Sequence, residues 1–132
     1  MITETDLFRR MWQMQEDFMF RLREHGLIGT HHQSDFVWPL DLSKRSSQLE
    51  LKDVAFNSMS ELFEAIQHLK NAKKHRQTDV GHVDREAFIE EAVDSFKFFL
   101  EFLIFAGITP DEFFDAYAKK DAVLHRRIDE KY

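Results

Sequence analysis

Apolar residues recur at helical spacing in four runs along this chain. The first predicts a helix over about residues 4–24, with Phe8, Met11, Trp12, Phe18, Met19 and Leu22 on its apolar stripe. Thr3 is placed to cap it, Asp6 falls in its first turn, and His25-Gly26 closes it. Gln15 stands on the stripe where an apolar residue belongs. Residues 26–46 keep no period and contain Trp38-Pro39, which predicts a long connection of the kind that often carries function. Ser47 and Glu50 read as a capping box opening a second helix over roughly 48–75, with Leu51, Ala55, Met59, Leu62, Ile66 and Leu69 inward. A polar turn from Gln77 to Asp84, containing Gly81, leads to a third helix over about 85–106 that ends at Gly107. Thr109-Pro110-Asp111-Glu112 is a restart signal: an N-cap, a proline at the first helical position and a glutamate to close the box. The fourth helix carries Phe113, Tyr117 and Leu124 and reaches at least Arg127.

The 132 residues suit one domain over 1–132, all-α and four-helix bundle-like, because the few glycines and prolines lie between the periodic runs. With no cysteine, disulfides, thiolate metal sites and cysteine nucleophiles are excluded. A net charge of −6 without a long Lys/Arg cluster argues against nucleic acid as a partner. The greasiest segment, 92–106, is broken by Asp94, Lys97 and Glu101 and is too short for a bilayer. The opening residues lack the basic start and apolar core of a signal peptide, so a cytoplasmic protein with no membrane partner is expected. Fourteen phenylalanines imply large buried faces, some of them shared with another subunit.

Two acidic pairs carry the candidate chemistry. Glu61 and Glu64 lie in the second helix and Glu91 and Asp94 in the third, each pair spaced to share one helix face. In an antiparallel hairpin Glu64 lies about 16 Å before the turn and Asp94 about 15 Å after it, so all four converge at one level. Glu90 and Asp94, four apart, also share a face. Carboxylates crowded into partly buried space raise one another's pKa, and a hard divalent ion relieves them. Oxygen-only ligation suits Mg²⁺ or Mn²⁺ together with phosphate oxygens. The bland alternative is solvated helix surface, which is the better account of either pair alone. Asp94, inside the most apolar stretch, weighs against it, since an unpaired carboxylate there is costly. No glutamate has a His three positions later, which excludes the Glu-x-x-His di-iron bundle.

With these residues in place, helices two to four resemble the all-α nucleoside triphosphate pyrophosphohydrolases, the superfamily of MazG-like proteins and dimeric dUTPases. Its paired motifs match Glu61/Glu64 and Glu91/Asp94, its downstream lysine matches Lys73, and the cations of its last helix match Lys120 and Arg127. The resemblance implies Mg²⁺ (or Mn²⁺) on the four carboxylates, with Glu61 orienting or deprotonating the attacking water. It also implies Lys73, Lys120 and Arg127 on the phosphates, and Gln15 on the base. Trp38, in the long connection, would add stacking on the base. The implied reaction converts a (d)NTP to the monophosphate and pyrophosphate, in a homodimer or dimer of dimers.

Positions 113, 117, 120, 124 and 127 share one stripe, taken as inward, on which a cation needs an anion. Leu124 stands where dUTPases carry an asparagine. That departure leads away from strict dUTP specificity and makes a purine such as dGTP a candidate. The competing expectation, from a different class, is a non-enzymatic helical interaction protein with solvated acidic faces.

Overall fold

This computed structural model describes residues 4–29, 36–70 and 72–131, residues 4–6 by their backbone alone. It is all-α, with four helices: α1 (Glu4–Glu24), α2 (Arg45–Ile66), α3 (Arg85–Phe105) and α4 (Pro110–Asp129). None of the described helices is long and apolar enough to cross a membrane. The expected cap at Thr3 and the pair His31-His32 lie outside the described residues.

Local chemistry explains most of the boundaries. Asp84 caps α3 by accepting from the Ala87 N–H, and Thr109 caps α4 by accepting from the Glu112 N–H. The capping box expected at Ser47 does not form. Instead Asp41 accepts from both the N–H and the hydroxyl of Ser43, and the Gln48 amide reaches back to the Leu42 carbonyl. The chain is thereby turned early and α2 begins at Arg45, behind an N-cap at Lys44 that has no side-chain bond.

At its other end α2 stops at Ile66, well short of the expected residue 75. There the N–H groups of His68 and Leu69 turn to carbonyls three residues back, and the loop folds Gly81 against Lys70. Gly107, at φ +78°, ends α3 where a Cβ would come within 3.0 Å of Pro39. Only glycine meets both demands.

The helices α2 and α3 form an antiparallel hairpin, and α3 is the central element. Its C-terminal half supplies Leu100, Leu103, Ile104 and Phe105 to a core completed by Trp12 and Met19 of α1, Ile28 and Val54. Phe36, Trp38 and Leu40 return across this end, where the Leu40 N–H bonds to the Phe105 carbonyl at 2.8 Å. α4 is peripheral: it meets α1 through Phe8–Phe113 stacking and the Arg9–Asp111 ion pair, and α3 through Phe113 edge-on to Phe99.

Two predicted stripes face elsewhere. On α2 the hairpin buries Val54 and Ala65 and partly covers Leu51, Ser58 and Glu61, while Met59, Leu62, Ile66 and Leu69 stay exposed with Phe56 and Phe63. The helix is apolar on two faces, and one chain supplies a partner for only one of them. On α4 no residue is buried; Tyr117 and Leu124 are exposed, so the stripe read as inward is not covered within one chain.

The hairpin is clasped at its middle. Ser58 Oγ donates to the Ser95 carbonyl at 2.8 Å, and Ser95 Oγ donates to the Ser58 carbonyl at 2.7 Å. Two small side chains let the backbones approach, and each hydroxyl finds its acceptor on the other helix. Replacing Ser95 with Ala is expected to cost about 1 kcal/mol, the net worth of one such bond. Ser95→Leu adds bulk at the closest approach and is expected to cost roughly 1–3 kcal/mol, both read from urea unfolding. A leucine variant as stable as wild type would refute the clasp.

Candidate metal centre

The clasp fixes what lies on either side of it. One turn beyond Ser58 stands Glu61, with Glu64 a further turn on; just before Ser95 stand Asp94 and Glu91. Carboxylate oxygens of Glu61, Glu64 and Glu91 lie within 4.8 Å of one another, with Glu61 and Glu91 half-buried and Glu64 exposed. Asp94, also half-buried, adds its charge to both Glu61 and Glu91. Glu90, the alternative register, is exposed and lies outside the cluster. The hairpin therefore brings the sequence-predicted carboxylates together, three of them tightly and Asp94 within electrostatic reach.

The electrostatics are those of a crowded acidic site. Glu61 and Glu91 are each held above the ordinary carboxylate range, first by a hydrogen bond shared with the Glu64 carboxyl, then by desolvation and their acidic neighbours. His68 opposes this at Glu91, with Nε2 3.9 Å from the carboxylate oxygen. An all-oxygen set whose members are each pushed up by shared hydrogen bonding, desolvation and mutual repulsion fits a hard divalent cation, which would neutralise the same charges. His68 follows Glu61 by seven residues on the same face, a spacing through which the sequence could have placed it beside the cluster.

A cavity of about 590 Å³ lies beside the carboxylates between α1, α2 and α3. Glu61 and Asp94 line it together with Phe18, Leu22, Val54 and Phe98. Gln15 and Glu101 also line it, and both are buried. Gln15 is 3% exposed, and its Oε1 has no hydrogen-bond partner among the described residues. Glu101, seven residues beyond Asp94 on the same face, is 8% exposed. Burial pushes its carboxyl up to about 7, with the Glu50 charge adding to the rise and Lys97 opposing it.

The remaining expected site residues are not gathered here. Trp38 lines a separate cavity of about 830 Å³ with Arg9, Arg10 and Arg23. Its indole N–H bonds to Glu16 at 3.2 Å, and its ring packs on Phe20 and Phe105. Lys73 lies in the α2–α3 loop rather than on a helix, because α2 ends early. Lys120 and Arg127 are exposed along α4. No family model matches the chain, and no curated protein or solved structure matches it either.

Glu101 generates a stability prediction. The folded chain holds the Glu101 proton more tightly than the unfolded chain does, so stability present below the ordinary value of 4.5 is lost as pH rises towards about 7. The loss is about 3 kcal/mol at the conversion of 1.36 kcal/mol per pKa unit. Glu101→Gln, always neutral, is expected to show a flatter urea midpoint between about pH 5 and pH 8 than wild type, and a higher one at pH 8. Parallel pH profiles for the two proteins would contradict the burial argument.

Proposed function

We propose that this protein is a metal-dependent nucleoside triphosphate pyrophosphohydrolase, releasing pyrophosphate from a (d)NTP to leave the monophosphate. The observation that carries the reading is the convergence of Glu61, Glu64 and Glu91 within 4.8 Å beside a cavity that Glu61 also lines, where the buried amide oxygen of Gln15 has no partner among the described residues. A carboxylate cluster suits phosphate-bridging cations, and a cavity beside it suits the nucleoside that carries the phosphates. The resemblance of the acidic motifs to the all-α pyrophosphohydrolases supports the same reaction.

Glu61, Glu64, Glu91 and Asp94 would hold Mg²⁺ or Mn²⁺, which when bound neutralises phosphate charge and acidifies a coordinated water. Glu61, half-buried between the helices, would accept a proton from the attacking water or orient it. Gln15 would bind the base from the cavity. Lys73, Lys120 and Arg127 would reach the phosphates from outside the cluster, the last two after a second chain covers α4.

That second chain is part of the proposal. Phe56, Met59, Leu62, Phe63 and Ile66 expose a continuous apolar strip on α2, and Tyr117, Leu124 and Ile128 are exposed on α4. Surfaces of this kind mark association sites. A homodimer or dimer of dimers is expected, to be read by sedimentation velocity; a monomer at micromolar concentration would count against it.

The enzymatic proposal is tested by screening every (d)NTP for pyrophosphate release with Mg²⁺ or Mn²⁺, beside thermal melting with and without Mn²⁺. A cation that binds only the folded chain raises the melting temperature. Glu64→Gln and Asp94→Asn are expected to abolish turnover and the Mn²⁺-induced shift while leaving the metal-free fold as stable as wild type, or more so, since one charge leaves a repulsive cluster. No pyrophosphate from any nucleotide and no Mn²⁺ shift would favour the interaction-protein reading instead.

A further inference from the structure

We infer that Gln15 and Glu101 together form the base-reading end of the cavity, and that Glu101 sets which nucleobase is accepted. This rests on the nucleotide reading of the site and goes beyond it to a residue and a class of base. The two side chains come from different helices, α1 and α3, and line one cavity that the candidate metal-site residues Glu61 and Asp94 also line. Seven residues separate Asp94 from Glu101, roughly 10 Å of helix rise, which is the scale of a nucleoside laid from its phosphate end inward. Phe18 and Phe98 supply apolar wall for the ring.

The hydrogen-bonding inventory selects the base. Gln15 Oε1 is buried and has no partner among the described residues, so it is placed to take an N–H donor whose arrival would remove the cost of an unsatisfied buried acceptor. Glu101 is buried opposite the charge of Glu50, with the Lys97 ammonium on its own helix and the neutral Gln15 on α1. Near neutral pH a substantial fraction of it is protonated. With Gln15 taking the N–H, a protonated Glu101 can donate its O–H to an adjacent base carbonyl, and uracil presents a carbonyl on either side of its single N–H. Guanine sets two donors side by side, N1–H and the N2 amino group, and these pair best with an ionised carboxylate. The cavity penalises that ionised state through desolvation and Glu50. Uracil-type edges should therefore gain on guanine while Glu101 keeps its proton, and lose ground as it ionises.

The test is calorimetric binding of the non-hydrolysable α,β-imido analogues of dUTP and dGTP, each with Mg²⁺, at about pH 6 and pH 8. The affinity ratio between the two analogues cancels the titration common to their phosphates and to the metal carboxylates. In wild type the uracil-to-guanine ratio is expected to fall at least fivefold from pH 6 to pH 8, and in Glu101→Gln to stay constant. Binding of both analogues with a pH-independent ratio in wild type would overturn the role of Glu101 and leave the nucleotide reading standing. Binding of neither analogue at either pH would overturn the nucleotide reading and this assignment with it. The wild-type ratio decides the matter even where the variant folds poorly.

Discussion

The reciprocal bond between Ser58 and Ser95 is the constraint on which the site depends. Each hydroxyl donates to the other helix's carbonyl at under 3 Å, so α2 and α3 can neither slide nor separate without losing both bonds. Helix geometry does the rest. Glu61 and Glu64 lie one and two turns from one serine, while Asp94 and Glu91 adjoin the other, so locking the serines delivers the carboxylates to one place. The two small residues also explain the closeness: a leucine at either position would hold the helices a side chain apart.

Bringing these acids together has a cost that the chain carries openly. Glu61 and Glu91 retain protons above the ordinary carboxylate range because Glu64 lies between them, and His68 offsets part of the repulsion at Glu91. The apolar core is displaced to the far half of α3, around Leu100, Leu103 and Phe105. Packing there stabilises the hairpin while the acidic half stays open to ions and solvent. Glu101 and Gln15 sit between these regimes, polar groups buried at the edge of the core and facing a cavity that Glu61 and Asp94 also line.

The exposed faces of α2 and α4 follow from the same economy. One chain of this size with a long central helix cannot cover every apolar stripe its helices carry. The contacts of α3 use the α2 face that bears Val54, Ser58 and Ala65, and leave the Met59–Leu62–Ile66 face without a partner. α4 is held near its start by Phe113 and Asp111 and runs on with no buried side chain.

The helices α1, α3 and α4 and the acidic pairs were legible from residue order, because capping bonds and i, i+3 spacing are local. Asp84, Thr109-Pro110 and Gly107 act within a turn of where they stand, and so mark their helix ends without help from the fold. The sequence alone also indicated that Glu61, Glu64, Glu91 and Asp94 would meet if α2 and α3 formed a hairpin. Tertiary structure decided the rest. It chose which of α2's apolar faces goes inward, because that depends on the small serine opposite rather than on hydrophobicity. It ended α2 at Ile66, through turns that the loop around Gly81 packs against. It separated Trp38 from Gln15 by folding the connection onto Phe105. It also turned Glu101 from a break in an apolar segment into a buried acid facing Gln15's cavity. A carboxyl's protonation depends on what surrounds it in space, and residue order states only what adjoins it along the chain.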